Sequence, residues 1–214
     1  MLSFPAQNWE KALRATKASL ERKQGSGRAA TRVIPRLYIS DYWTSTNAEK
    51  MNELGITHII SLLDFKPLKV LESIPLDRRL QITIRDAPDS NILQHLDNTT
   101  AFIKQALEEN SENQVLVHCM QGISRSATVV CAYLIATTDM TAAASIEYLQ
   151  SVRGIVCPNN GFRHQLKEYE ARYRKDISLA AGPSTFLGFF KLGALSRKKK
   201  GAETLVGTEK DAKT

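Results

Sequence analysis

Cysteine is scarce in this chain. Cys119, Cys131 and Cys157 are the three thiols among 214 residues. No two of them form the close pair that a disulfide framework or a zinc site uses. A disulfide-stapled secreted scaffold is therefore excluded, no metal is expected, and a reducing compartment, cytoplasmic and/or nuclear, fits the thiols. Long hydrophobic runs are missing too, since no stretch approaches the ~20 apolar residues of a membrane span. The first residues lack the charged-then-apolar layout of a signal peptide. What remains is ordinary for a soluble globular protein: 43% hydrophobic and 24% charged residues, in a chain long enough for one domain with a real core and spare length.

Net charge is missing where a nucleic-acid-binding domain would carry it. The chain as a whole is +7. Residues 1–30 hold six basic and two acidic side chains, residues 176–214 seven and four, and residues 31–175 sixteen of each. The basic excess lies in the two ends, so no nucleic acid is expected as a partner. These shifts suggest three parts: an N-terminal extension (1–30), a folded domain (31–175) and a basic C-terminal tail (176–214). The extension reads as a polar helix over residues 9–23, with Trp9, Leu13 and Leu20 on a sparse apolar face, broken by Gln24-Gly25-Ser26-Gly27. In the tail, Phe186-Leu187-Gly188-Phe189-Phe190 precedes Arg197-Lys198-Lys199-Lys200. That pairing leaves open an inert tail, a nuclear import signal, or contact with an acidic membrane or partner.

One stretch organises the rest. His118-Cys119-Met120-Gln121-Gly122-Ile123-Ser124-Arg125-Ser126 follows the apolar run Val115-Leu116-Val117 and precedes a second one, Ala127 to Ala136. This reads as a buried strand, a tight loop and a buried helix. Such a loop aims several backbone N–H groups at one point, and the helix dipole adds partial positive charge. Met120, Gln121, Gly122, Ile123, Ser124 and Arg125 would thus cradle a phosphate dianion. The same groups stabilise a thiolate, which makes Cys119 a nucleophile. Arg125 can fold back and grip two oxygens with its planar fork. Gly122 permits a backbone approach that a Cβ would forbid. A structural cysteine beside a capping serine would leave the arginine and the glycine in an apolar setting without a reason.

Along the rest of the chain, Val33-Ile34 and Leu37-Tyr38-Ile39 suggest an edge hairpin around Pro35. Asn47 caps a short helix that Gly55 stops. Ile56 to Leu63 reads as a buried parallel strand and Gln81 to Arg85 as a shorter one. His95 to Glu109 has helical spacing, Gln114 to Val117 is a strand, and a helix runs to Ala136. Thr141 caps another helix that ends at Gly154. Pro158-Asn159-Asn160-Gly161 reads as a turn, and Phe162, Leu166, Tyr169 and Tyr173 mark one face of a last helix. The fold class is α/β, a central mostly parallel sheet flanked by helices, with ligands held beyond the carboxyl ends of the strands.

The loop resembles the signature of the cysteine-dependent protein phosphatases: His-Cys, five residues, Arg, then Ser or Thr. The dual-specificity branch is the nearest likeness, through Ile34-Pro35-Arg36-Leu37-Tyr38-Ile39-Ser40, Gly55-Ile56-Thr57-His58-Ile59 and Pro158-Asn159-Asn160-Gly161-Phe162. The likeness spans roughly residues 31–175 and suggests a small, atypical member without a preceding kinase-docking domain. It implies a protein phosphatase acting on phosphotyrosine and phosphoserine/phosphothreonine through a cysteinyl-phosphate, with no cofactor, on a phosphorylated protein substrate, as a monomer. It implies that an upstream Asp protonates the leaving oxygen. Asp86 matches the family position at the strand end and Asp89 is the alternative. Ser126 is implied to help break the thiophosphate, although a helix cap would serve equally well. His118 is implied to steady the thiolate, against the plainer reading of a buried, hydrogen-bonded histidine. Asn159 is expected to support the site. His58, His95 and Asp97 read as surface or capping residues. Cys131 and Cys157 read as structural thiols. Two competing functions stay open: a phosphate-recognising pseudophosphatase, and a lipid or RNA-end phosphatase on the same fold. The second is disfavoured by the absence of Lys or Arg between Cys119 and Arg125.

Overall fold

The computed structural model describes residues 29–66 and 73–180. The N-terminal helix expected over 9–23 and the apolar and basic runs of the tail lie outside these residues. The chain divides into two units, Met1–Asp176 and Ile177–Thr214, and the first carries the sheet and the site.

Five strands form one sheet in the order β1-β2-β5-β3-β4. They are β1 (Thr31–Ile34), β2 (Leu37–Ser40), β3 (His58–Leu63), β4 (Arg79–Thr83) and β5 (Val115–His118). β1 and β2 form the antiparallel hairpin at one edge. The other pairings, β2 with β5, β5 with β3 and β3 with β4, are all parallel. The hairpin turns through Arg36, a non-glycine residue at φ 68°. Its carbonyl accepts from Val115 N–H, which ties the turn to β5.

The burial of each strand follows its place. β5 and β3 are central and nearly continuously buried, as parallel strands covered on both faces must be. β4 is an edge strand, and only Ile82 is fully buried in it. On one face Val115, Val117, Ile60 and Leu62 join the main core. On the other, Ile59 and Leu116 pack with Met51, Ile56 and Ile74 in a smaller cluster. Each fully buried Leu or Ile contributes ~1.5–3 kcal/mol of apolar transfer.

The helices are α1 (Tyr42–Ser45), α2 (Ala48–Glu53), α3 (Leu93–Glu109), α4 (Arg125–Thr137), α5 (Ala142–Val152) and α6 (Asn160–Ala180). α4 is apolar almost all round because it lies in the middle of the helical layer; every residue from Arg125 to Ile135 is buried. α3 is one-faced and buries Leu96, Thr99, Ile103 and Ala106. Asn47 and Thr141 cap α2 and α5 as the sequence suggested, each accepting a backbone N–H three residues on.

Several boundaries differ from expectation. β4 begins at Arg79 rather than Gln81 and ends at Thr83, although Ile84 N–H still donates to Leu63 O at 2.9 Å. β5 begins one residue later than expected and includes His118. Pro158-Asn159-Asn160-Gly161 is not a free turn. Asn159 Oδ1 accepts from Phe162 N–H and so opens α6. His58 is a core residue rather than a surface one, edge-on to Phe102 with ring centroids 5.8 Å apart.

Candidate active site

The carboxyl ends of three neighbouring strands converge. β5 leads into Cys119, β3 into Asp64, and β4, three residues beyond its end, into Asp86. Because β3 lies between β5 and β4, side chains far apart in sequence share one rim.

The loop from Cys119 to Ser124 is shaped by where its carbonyls go. Met120 O accepts from Tyr42 N–H at 3.2 Å, and Ile123 O accepts from Cys157 N–H at 2.9 Å. Gly122 O accepts from Arg153 Nε at 3.1 Å. A trans peptide points its N–H opposite to its C=O. Carbonyls held outward thus leave the N–H groups of Gln121, Ile123 and Ser124 facing the middle of the loop. Gly122 adopts φ 69°, and a Cβ there would stand 2.6 Å from Ser40 O and 2.8 Å from Arg153 Nη2. Both its backbone angle and its surroundings therefore require glycine.

Cys119 is 1% exposed. Its Sγ accepts from Gly122 N–H at 3.2 Å and from Ser126 Oγ at 3.3 Å. Burial pushes the thiol up, but the Ser126 hydroxyl and amide, the Arg125 charge and the Ile123 amide outweigh it, and its pKa lies below the ordinary value. Ser126 sits inside the first turn of α4, so the capping alternative does not hold. The N-cap is Ser124, and its side chain does not cap either. Ser124 Oγ donates to Asp86 Oδ1 at 2.7 Å and accepts Asn159 N–H at 3.1 Å.

Arg125 is 5% exposed. Its Nη1 donates to Ile84 O at 3.1 Å and lies 3.5 Å from Asp64 Oδ1. Its Nε lies 3.7 Å from Asp86 Oδ2. That Nε is buried yet has no hydrogen-bond partner among the described residues. A buried charged donor left open carries a cost unless a ligand completes it.

Asp86 and Asp89 separate clearly. Asp86 Oδ1 accepts from Ser124 Oγ and from Asn159 Nδ2 at 2.9 Å, which leaves Oδ2 toward the arginine. Asp89 is exposed and pairs at 4.0 Å with the exposed Arg85. The loop that carries Asp86 and Asp89 is held by α6: Gln165 accepts Leu93 N–H and donates to Ser90 O, and a Cβ on Gly161 would collide with Pro88 O. A cavity of about 270 Å³ adjoins the loop, with Asp64, Thr83, Arg85, Asn91 and His95 among its walls.

His118 lies next to Cys119, at the end of β5. Its Nδ1 is 3.4 Å from Cys119 O, and its Nε2 is 2.7 Å from Ser61 Oγ. A carbonyl only accepts, so Nδ1 carries the proton and Nε2 accepts from the Ser61 hydroxyl. Burial drives the His118 pKa down to about 4, against the opposing pull of the Cys119 carbonyl. The plainer reading of this residue, buried and hydrogen-bonded, is what the geometry shows. Cys131 is fully buried and burial pushes it up to about 12, in keeping with a structural thiol, whereas Cys157 is exposed.

A family model for the dual specificity phosphatase catalytic domain matches residues 37–172. The chain belongs to the dual specificity phosphatase family. Over 148 residues it is 34% identical to the tyrosine-protein phosphatase yvh1 of Schizosaccharomyces pombe, covering 69% of this chain and 43% of that one. It is 31% identical over 144 residues to human dual specificity protein phosphatase 22, covering 67% of this chain and 75% of that one. The crystal structure of the human tyrosine phosphatase-like serine/threonine/tyrosine-interacting protein superposes with TM-score 0.62 at 34% identity, covering 69% of this chain and 99% of that one. The chain thus spans less than half the length of yvh1, while matching a whole solved domain.

Sequence reasoning missed Asp64, Ser61 and Arg153. Asp64 had a faint signal, an acid directly after a buried strand as Asp86 is shortly after the next one. Ser61 and Arg153 had none, because their partners lie 57 and 31 residues away.

Proposed function

We propose that this dual specificity phosphatase domain hydrolyses phosphate monoesters on proteins, on tyrosine and on serine or threonine, through a cysteinyl-phosphate. The observation that carries the reading is the open Nε of buried Arg125 beside a thiol whose sulfur already accepts two hydrogen bonds. A phosphate dianion supplies the missing partner.

Cys119 as thiolate attacks phosphorus, and the phosphorus–oxygen bond to the substrate breaks. The inward amides of Gln121, Ile123 and Ser124 and the Arg125 fork hold the equatorial oxygens as charge shifts. Asp86 Oδ2 gives its proton to the departing oxygen, while Oδ1 stays fixed by Ser124 and Asn159. Asp86 then takes a proton from the water that attacks the phosphocysteine. The sulfur leaves as thiolate, stabilised by the Ser126 hydroxyl and the loop amides. This scheme needs no metal or organic cofactor, because Arg125 supplies the cationic charge. Met120, Gln121 and Ile123 bring no charge to the loop, and Tyr42 and Phe65 stand edge-on nearby with centroids 5.6 Å apart. Both features suit a singly phosphorylated, partly apolar side chain better than a polyphosphorylated lipid headgroup or an RNA end. The intact Cys119, Arg125 and Asp86 set favours turnover over mere phosphate recognition. No helix among the described residues is long and apolar enough to cross a membrane. A monomer placed in the cytoplasm or nucleus, with the basic tail choosing an acidic membrane or partner, completes the proposal.

The test is turnover of a phosphotyrosine peptide and a phosphothreonine peptide in the presence of a chelator, by wild type and by Cys119→Ser. Wild type should turn over and the variant should not, while still binding phosphate through the loop amides. Residual turnover by Cys119→Ser within roughly tenfold of wild type would sink the assignment of the nucleophile.

A further inference from the structure

Asp64 has no part in the catalytic scheme, yet its carboxylate lies 3.5 Å from the guanidinium on which that scheme turns. It directly follows β3, the strand between the one that delivers Cys119 and the one that delivers Asp86. Two carboxylates therefore flank Arg125, Asp64 at Nη1 and Asp86 at Nε. Their settings differ. Asp86 Oδ1 is tied down by Ser124 and Asn159, whereas the Asp64 side chain is 48% exposed and open to solvent on its outer side. The two ends of the fork differ as well. Nη1 already donates to Ile84 O, and Nε has no hydrogen-bond partner among the described residues.

We infer that Asp64 is the positioning counter-ion of Arg125: with the Ile84 carbonyl it pins Nη1, fixes the guanidinium plane, and leaves the other edge of the fork for the phosphate. The inference rests on the proposed phosphatase chemistry. It assigns the two carboxylates separate duties. Asp86 must carry a proton when the substrate arrives, because an anion there would face the dianion across Nε. Asp64 sits at the Nη1 end of the guanidinium, away from Nε, and takes no part in the proton transfers. Its presence has two opposed consequences. It steadies the arginine for the transition state, and it weakens the ground-state hold on phosphate by partly neutralising the guanidinium placed to grip it. Loss of Asp64 should therefore lower kcat and KM together, the signature of an interaction that favours the transition state while opposing ground-state binding.

Asp64→Ala, Asp64→Asn and Asp64→Glu are compared with wild type on phenyl and activated aryl phosphates, with inorganic phosphate as inhibitor. Asp64→Ala and Asp64→Asn should lower kcat by about ten- to hundredfold on both esters, as loss of orientation does. Their KM and phosphate inhibition constant should fall roughly two- to fivefold, the range of a half-exposed ion pair. Asp64→Glu should recover most of kcat. A second readout needs no turnover: the pH dependence of iodoacetamide alkylation at Cys119, followed by peptide mass spectrometry to separate it from exposed Cys157. Charges acting on that thiol come from Arg125 and Arg153, with His118, Asp41 and Asp86 around them. Removing Asp64 unmasks Arg125 and should move the alkylation midpoint to lower pH by about one unit or less. An unmoved midpoint with unchanged kcat and KM overturns the inference, and so does a loss of kcat with weaker phosphate binding, which marks a merely structural residue. A wild type that alkylates at Cys119 but never turns over overturns the phosphatase reading instead.

Discussion

The loop after β5 and the loop after β4 meet at one site but are held by different means. The Cys119 loop is buried and fixed through its main chain, with outward carbonyls taken by Tyr42 N–H, Cys157 N–H and Arg153. The Asp86 loop is half-exposed and fixed through side chains: Ser124 and Asn159 on the Asp86 carboxylate, Gln165 on Ser90 and Leu93. In the proposed mechanism a cradle of amides must keep its shape whatever the substrate, and backbone bonds that few substitutions remove set its geometry. The proposed acid needs only one oxygen in place, and a few side-chain donors suffice. The first loop should thus give effects that ignore the leaving group, and the second effects that follow it.

Asp86→Asn tests the division most severely. A phenyl or alkyl oxygen departs as a strong base, and the substitution should slow its release by about 10²–10⁴. An activated aryl ester should lose far less, and the alkaline fall of the wild-type pH profile should vanish. Asp89→Asn should do neither. A uniform loss across leaving groups in the Asp86 variant would break the comparison and make the residue one of structure or binding.

Arg125→Lys ranks next. A lysine keeps the charge but not the fork, and the loss should be about 10²–10³, the usual cost of removing a transition-state donor. It should be alike for phenyl and activated esters. Near-normal turnover by the lysine variant would reduce Arg125 to a structural role.

Asn159→Ala sharpens the contrast at smaller scale. It removes one of the two donors to Asp86 Oδ1 and the cap of α6. The expected pattern is that of Asp86→Asn diluted to about tenfold, with a stability loss of ~0.5–2 kcal/mol from the cap. Leaving-group dependence in the kinetics, against melting temperature, separates the two contributions.

The last effect concerns pH and stability and leaves catalysis aside. The His118 pKa falls from 6.5 to about 4 on folding, mainly by burial. The unfolded chain therefore binds the proton first, and stability is retained above pH 6.5 and lost progressively as pH falls toward 4. The full contribution is about 3 kcal/mol at most, from the size of the shift. In urea unfolding between pH 7 and 4.5, His118→Asn should show a flatter profile than wild type. Parallel profiles would mean that the buried imidazole is not the group titrating.

Much of this was legible in the amino-acid order, for reasons of scale. Cys119, Gly122, Arg125 and Ser126 lie within eight residues, and a strand, a tight loop and a helix start are local events. The α6 stripe of Phe162, Leu166 and Tyr169 is likewise local, and all three are core residues. The caps at Asn47 and Thr141 needed three residues of context each.

What the sequence left open was whatever depended on which strands became neighbours. That Asn159 and Ser124 hydrogen-bond to Asp86 and not to Asp89 shows only in the tertiary structure. Ser126 could be a cap or a donor to sulfur until the start of α4 was set at Arg125. The Ser61–His118 bond exists because β3 and β5 pair in register at those two residues. The order β5-β3-β4 puts Asp64 beside Arg125, and no spacing along the chain encodes it. Chain order thus determined the make-up of the Cys119 loop, because its residues are consecutive and lie between a strand and a helix start. Tertiary structure decided which distant carboxylates and hydroxyls complete it, because strand pairing alone sets those distances.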